Sequence, residues 1–187
     1  ASAAGWVEFS NQKWGTNLSV DDYNENWSEM WGVDHEEGKK RAHIVYGSNV
    51  VSGFDPYDEA LPVLQKLSKT YKLVIVTSRV SNIHEETLQW LERHYRDIFS
   101  EIHLAGFYEG QPKDAHIHTK AELCQQIGAN YLIDDQPKHC LATAAVGIPA
   151  LLFGNYAWSE AKNLPPGVSH VKNWQAVLEY FDGKAGA

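Results

Sequence analysis

From Pro56 onward one alternation repeats to the end of the chain, and it narrows the fold more than any other feature. "PYDEALPVLQKLSKTY" sets Leu61, Leu64 and Leu67 on one helical face, and "KLVIVTSR" follows as a short β-branched strand ending in polar residues. The helix "SNIHEETLQWLERHY", capped by Ser81 or Asn82, leads to the strand "EIHLA", a polar loop and the helix "TKAELCQQIG", which stops at Gly128. Next come a strand in "NYLIDD", a helix in "QPKHCLATAAVG", a strand in "IPALLFG" and a closing helix in "NWQAVLEYF". Strands that are near-continuous apolar runs, each followed by a helix, predict a parallel sheet covered on both faces. In such sheets functional side chains gather just beyond the strand ends.

The first third has a different texture. From Trp6 to about Val51 the chain is polar and rich in aromatic residues, with no convincing strand. "SVDDYNENWSEMW" predicts a helix with Ser19 as N-cap, acidic residues in its first turn, and Tyr23, Trp27, Met30 and Trp31 on one face. "DHEEGKKRAHIVYGSN" predicts another, capped by Asp34, with Ala42, Val45 and Tyr46 at helical spacing. The expected organisation is a helical segment over residues 1–53 and an α/β core over residues 54–187.

Length and charge exclude several classes. At 187 residues and 43% hydrophobic, the chain suffices for one well-buried domain with a modest appendage. Its net charge of −8, without a long basic run, argues against a nucleic-acid polymer or an anionic membrane surface as main partner. No apolar run reaches the length of a membrane span, and "ASAAGWVEFS" has neither the basic flank nor the apolar core of a signal peptide. Cys124 and Cys140 fall in separate predicted helices, which reads as two reduced structural thiols in a cytoplasmic setting.

Read in order, the strand ends offer Thr77, Ser78 and Arg79, then Ala105 and Gly106, then Asp134 and Asp135, then Gly154 and Asn155; Lys120 opens the helix before the aspartate strand. A hydroxyl, an ammonium and a carboxylate pair at one sheet edge make a phosphate site. The hydroxyl and ammonium bind phosphoryl oxygens, and the carboxylates hold Mg²⁺. Each member has a plainer reading: Thr77 and Ser78 also suit a helix cap, Lys120 and Arg79 a solvated first turn, and one aspartate an N-cap. Two adjacent aspartates, however, repel unless a cation or hydrogen-bond donors satisfy both.

With these residues in place, the chain resembles the haloacid dehalogenase (HAD) superfamily of phosphohydrolases. "LVIVTSR" is similar to its second motif, with Thr77 as the phosphate-binding hydroxyl; Lys120 stands where the third-motif lysine is expected; "YLIDD" is similar to the fourth, the magnesium-holding acid pair. Response-regulator receiver domains combine the same groups, but there the acid pair comes first. Over nearly its whole length the chain looks like the 5′-nucleotidase-like branch, through "DEALPVLQKLSKTYKLVIVTSR", "ETLQWLERHYRDIFSEIHLAGF" and "VGIPALLFGNYAWSEAKNLPPGVSHVKNWQAVLEYF". The resemblance implies a Rossmannoid parallel sheet with a small N-terminal helical cap, a Mg²⁺-dependent phosphomonoesterase activity, and a small phosphorylated metabolite or nucleotide as substrate, chosen by the cap.

The family's reaction starts from an Asp-x-Asp motif at the end of a first strand, whose first aspartate is phosphorylated and whose second serves as acid and base. No apolar strand followed by Asp-x-Asp precedes Thr77. Asp21 and Asp22 read as a helix's first turn, and Asp55 and Asp58 have the wrong spacing. The resemblance therefore places the first motif before Ala1, and the expectation is negligible turnover by these residues alone. The absent strand would be the central one of the sheet. The strands "KLVIVT" and "NYLIDD" are then expected either to pair directly or to accept a strand from a second polypeptide, a swapped segment or a homo-oligomer. The alternative is a non-catalytic relative that binds phosphate or metal, or acts in assembly.

Two lesser signals remain. His116 and His118 in "DAHIHTK" suit a metal pair less well than a substrate-side loop, since no third ligand is evident. Of the seven tryptophans, Trp27 and Trp31 are the candidates for stacking on substrate.

Overall fold

The protein is described here by a computed structural model, which covers residues 2–79, 81–105, 118–160 and 163–185. In chain order the elements are α1 (Ser2–Trp14), α2 (Trp27–Trp31), α3 (His35–Tyr46), α4 (Ala60–Leu67), β1 (Val74–Thr77), α5 (His84–Tyr95), β2 (Glu101–Leu104), α6 (Lys120–Gln126), β3 (Leu132–Asp134), α7 (Pro137–Ala145), β4 (Ala150–Phe153), β5 (Val168–Val171) and α8 (Trp174–Ala185). They form two compact units: Ala1–Tyr57 with Asn82–His94, and Asp58–Ser81 with Tyr95–Ala187. The division is therefore not a single cut in the sequence, because α5, which follows β1, belongs to the first unit.

The first unit is held by aromatic packing and by side chains of α5. Trp6 meets the edge of Phe54 at 4.7 Å and Trp27 at 5.1 Å; Trp14 and Trp31 lie 4.9 Å apart, with the Arg41 guanidinium over both rings. From α5, Trp90 Nε1 donates to the Phe54 carbonyl at 2.6 Å, Arg93 to the Ser52 carbonyl at 3.0 Å, and Glu86 accepts from the Val51 N–H. Helix α1 has no counterpart among the sequence expectations, since "WVEFSNQKW" lacks a clear apolar stripe. The single helix expected over "SVDDYNENWSEMW" is instead a 3₁₀ turn at Val20–Asp22 followed by the separate α2. Its break has a local cause. The Asn24 side chain accepts from the Asn26 N–H at 2.8 Å and so competes with the helical ladder, while Asp22 closes the earlier turn on the Ser19 N–H. The Asp34 cap of α3 is as expected, its carboxylate accepting from the Glu37 N–H at 2.9 Å.

The second unit carries the sheet strands, all parallel. One ladder joins β1 to β2, with Thr77 opposite Leu104; the other runs β3-β4-β5, with Asp134 opposite Leu152. β5 was not anticipated: "VSHV" is short and two of its four side chains are polar, yet Val168 and Val171 are buried on β4. β4 sits between two partners with all four residues buried, and its period-two alternation feeds two cores. Leu151 and Phe153 join Val63 and Leu67 of α4 and Val177 and Phe181 of α8; Ala150 and Leu152 join Cys124 of α6 and Cys140 of α7. β1 is different. All four of its residues are only partly buried, it is bonded on one edge, and among the described residues no ladder joins it to β3. The direct pairing of the two strands, one of the two expected outcomes, does not occur. Val76 nonetheless packs against the Cys124–Leu132 cluster, and α6 lies along β1, so the helix that starts with Lys120 links the two ladders.

Candidate phosphate and metal site

Thr77 and Asp134 are each the last residue of their strand, so both stand at carboxyl ends, Thr77 in the two-stranded ladder and Asp134 in the three-stranded one. Lys120 is delivered by a well-made helix start. Thr119 accepts from the Glu122 N–H at 3.1 Å, and the Glu122 carboxylate accepts from the Thr119 N–H at 2.7 Å, a reciprocal box that fixes where the first residue of α6 emerges. Gly128, at φ 65°, ends that helix and turns the chain into β3.

The Lys120 ammonium reaches Asp134 Oδ2 at 2.6 Å, with side-chain exposures of only 13% and 5%. Asp134 Oδ1 accepts from the Gln136 N–H at 2.9 Å, which turns the chain into α7 with Pro137 as its first residue. Asp134 is thus satisfied on both oxygens, by a cation and by a backbone donor. Asp135 is half-buried and has a harder position. Burial, and then the charge of Asp134, push its carboxyl above the ordinary range, against which the Trp158 indole and the Lys120 charge act. Below the pair, Cys140 Sγ donates to the carbonyls of Asp134 and Leu151, and burial pushes its thiol up to about 12. Both cysteines are free and buried, and burial pushes the Cys124 thiol up as well.

Thr77 Oγ1 accepts from the Arg79 N–H at 3.2 Å. That bond uses a lone pair and leaves the hydroxyl proton to donate elsewhere. Ser78 is exposed and Arg79 partly so. The structure therefore joins Lys120 to Asp134 directly, whereas Thr77, Ser78 and Arg79 follow the end of β1 in the other ladder. Trp31 and Trp27 lie in the first unit. Trp31 is 8% exposed, donates its indole N–H to the buried Ser10 hydroxyl at 3.0 Å and packs against Trp14 and Trp27; Trp27 is half-buried among Trp6, Trp31 and Tyr46. Their faces are thus largely used in packing. His118 Nδ1 lies 3.3 Å from Gln126 Nε2; Gly106 and His116 are outside the described residues.

Sequence reasoning overlooked Trp158. Its Nε1 donates to Asp135 Oδ2 at 3.0 Å, and its ring stacks on Tyr156 at 4.6 Å and 6°. The available signal was the "GNYAW" that follows β4, two aromatics at alternate positions beyond a strand end that faces the acids.

As a donor set, two adjacent carboxylates fit a hard divalent cation that completes its shell with water and phosphate oxygens. Among the described residues no third carboxylate, histidine or cysteine joins them.

A search of curated proteins found no match. Among solved structures, the chain is similar to a haloacid dehalogenase-like hydrolase, SP0104 from Streptococcus pneumoniae, with a TM-score of 0.65 at 16% identity, over 94% of this chain and 88% of that one. At that identity the likeness establishes a shared fold, the HAD-like α/β architecture. The family model for 5′ nucleotidase, deoxy (pyrimidine), cytosolic type C protein (NT5C) matches residues 3–181. The chain belongs to this 5′-nucleotidase family, within the nucleotidase-like branch of the HAD superfamily.

Proposed function

We propose that the second unit carries the phosphate and metal half of a Mg²⁺-dependent nucleotidase site. The observation that carries the reading is the buried 2.6 Å pair of Lys120 and Asp134 beside a second, strained carboxylate. A lysine ammonium has three donors and Asp134 takes one, so two remain for phosphoryl oxygens. The Thr77 hydroxyl donates to the same group from the end of β1, with Ser78 and the Arg79 guanidinium as further donors. Asp134 and Asp135 would hold the cation, which when bound supplies neutralisation of phosphoryl charge. The family description points to nucleotides, pyrimidine deoxynucleotides in the first place, as substrate.

The nucleophile is not supplied by these residues, since no apolar strand ending in Asp-x-Asp occurs among them. In this reading it arrives with a strand from a longer precursor or a second polypeptide that seats between β1 and β3. The buried free thiols fit a reducing compartment such as the cytoplasm, and no helix among the described residues is long and apolar enough to cross a membrane.

Calorimetric titration of the chain with inorganic phosphate in Mg²⁺ tests the reading. Thr77→Val should weaken phosphate by about tenfold, the worth of one charge-assisted hydrogen bond, and Asp134→Asn should remove the Mg²⁺ dependence. Phosphate binding indifferent to both changes would sink it. Ordinary phosphomonoesterase turnover by the 187-residue chain, lost in Asp134→Asn, would instead show that the nucleophile lies within it. The lack of that motif also favours a second reading, a relative that binds phosphate or metal without catalysis; intact mass of the native protein showing an upstream Asp-x-Asp would exclude it.

A further inference from the structure

The loop after β4 is built to hold one indole against one oxygen of Asp135. At Gly154 the backbone has φ 96°, and a Cβ there would fall 2.2 Å from the Tyr156 ring, so only glycine admits the ring at that place. The turn is closed by the buried Ser159, whose hydroxyl accepts from the Tyr156 N–H at 2.9 Å and lies 3.0 Å from the Tyr156 carbonyl. The Gly154 carbonyl is itself tied to His170 Nε2 of β5 at 2.6 Å. Tyr156, fixed in this way, presents a flat face on which Trp158 lies almost parallel, and the indole N–H then points to Asp135 Oδ2.

We infer that Trp158 is a positioning residue: by fixing Asp135 Oδ2 it sets the carboxylate plane and leaves Oδ1 as the oxygen that meets a divalent cation. The inference rests on the reading of Asp134 and Asp135 as cation ligands. Its physical basis is that a ligand held in one rotamer by an outer hydrogen bond loses less freedom on binding, and removal of such bonds commonly weakens metal binding by about 10–100-fold. The indole suits the role because it donates only and cannot compete for the cation. Asp134 needs no such support, as Lys120 and the Gln136 N–H already hold it. The stacked pair is thus the counterpart, for the second acid, of what α6 does for the first.

The test uses the whole 187-residue chain with Mg²⁺ and Mn²⁺ as probes. Calorimetry compares it with Trp158→Phe, which keeps the stack and removes the N–H, and with the chain in which the benzothiophene analogue of tryptophan replaces Trp158, isosteric but without a donor. Both should bind the cation at least tenfold more weakly, and both should do so alike. The Trp158 indole ¹H–¹⁵N resonance, identified by its loss in the chain with the benzothiophene analogue, should move when Mg²⁺ is added and should move in Asp135→Asn. Equal cation affinity with and without the indole donor overturns the inference and leaves the site reading intact. An indole resonance indifferent to Asp135→Asn overturns it even if Trp158→Phe does not fold. If the unaltered chain binds neither cation at millimolar concentration, the reading of the acid pair fails first and the inference falls with it.

Discussion

Asp135 carries its charge where neither burial nor its neighbour welcomes it. A carboxyl whose folded-state pKa is raised favours folding while protonated, so its cost is absent below the unfolded value of 3.8 and grows as pH rises through the folded one. Asp135→Asn, whose amide oxygen still accepts from Trp158, should therefore raise the melting temperature at pH 7 without divalent cations. The gain should vanish near pH 3.5, and Mg²⁺ should stabilise the unaltered chain but not the variant; thermal melts at both pH values check this. Lys120 poses the opposite case. Lys120→Met leaves Asp134 as a buried carboxylate without its cation, which should cost about 3 kcal/mol, and adding Asp134→Asn should recover most of it. Urea denaturation of the two single variants and the double one measures the coupling. Thr77, Lys120, Asp134 and Asp135 were legible as candidates because charged and hydroxyl residues at the ends of apolar strands have few structural reasons to be there. Trp158 was not, because an indole in a loop signals nothing until its stacking partner and its acceptor are placed.

At the scale of elements, the helices that read cleanly carried a cap, as α3 does at Asp34, an apolar stripe, as α4 does, or a glycine stop, as α6 does at Gly128. α1 and β5 escaped because tertiary contacts supply what their local sequence lacks. α1 is held by Trp6 against Phe54 and by Ser10 under Trp31, and β5 by Val168 and Val171 on β4. Gly5 shows how tight the first of these is. A Cβ there would lie 2.1 Å from the Phe54 ring. Alanine should add about 1 kcal/mol of helix propensity, yet the clash with a buried aromatic should cost about 1–3 kcal/mol. Gly5→Ala is therefore expected to destabilise the first unit, with recovery in Gly5→Ala combined with Phe54→Leu. Denaturation followed by tryptophan fluorescence tests this, and an outright gain from Gly5→Ala would show that Phe54 does not pack as described.

Across the whole molecule, the two ladders differ in a way that exchange experiments can read. β4 is bonded on both edges and buried throughout, whereas β1, among the described residues, is bonded on one edge and only partly buried. Amides of β4 should exchange with the slowest rates in the second unit, and alternate amides of β1, those facing away from β2, much faster. Uniform slow exchange along β1 would mean that a further strand already covers its free edge. The α/β class and the parallel strands followed from the sequence by itself, because apolar runs bounded by polar ends must be buried as strands whichever neighbours they find. Which strands pair, that α5 joins the aromatic unit through Trp90 and Arg93, and that an indole holds the second aspartate were decided only in the tertiary structure. Those outcomes depend on side chains far apart in the chain meeting at hydrogen-bonding distance, and no local pattern encodes that.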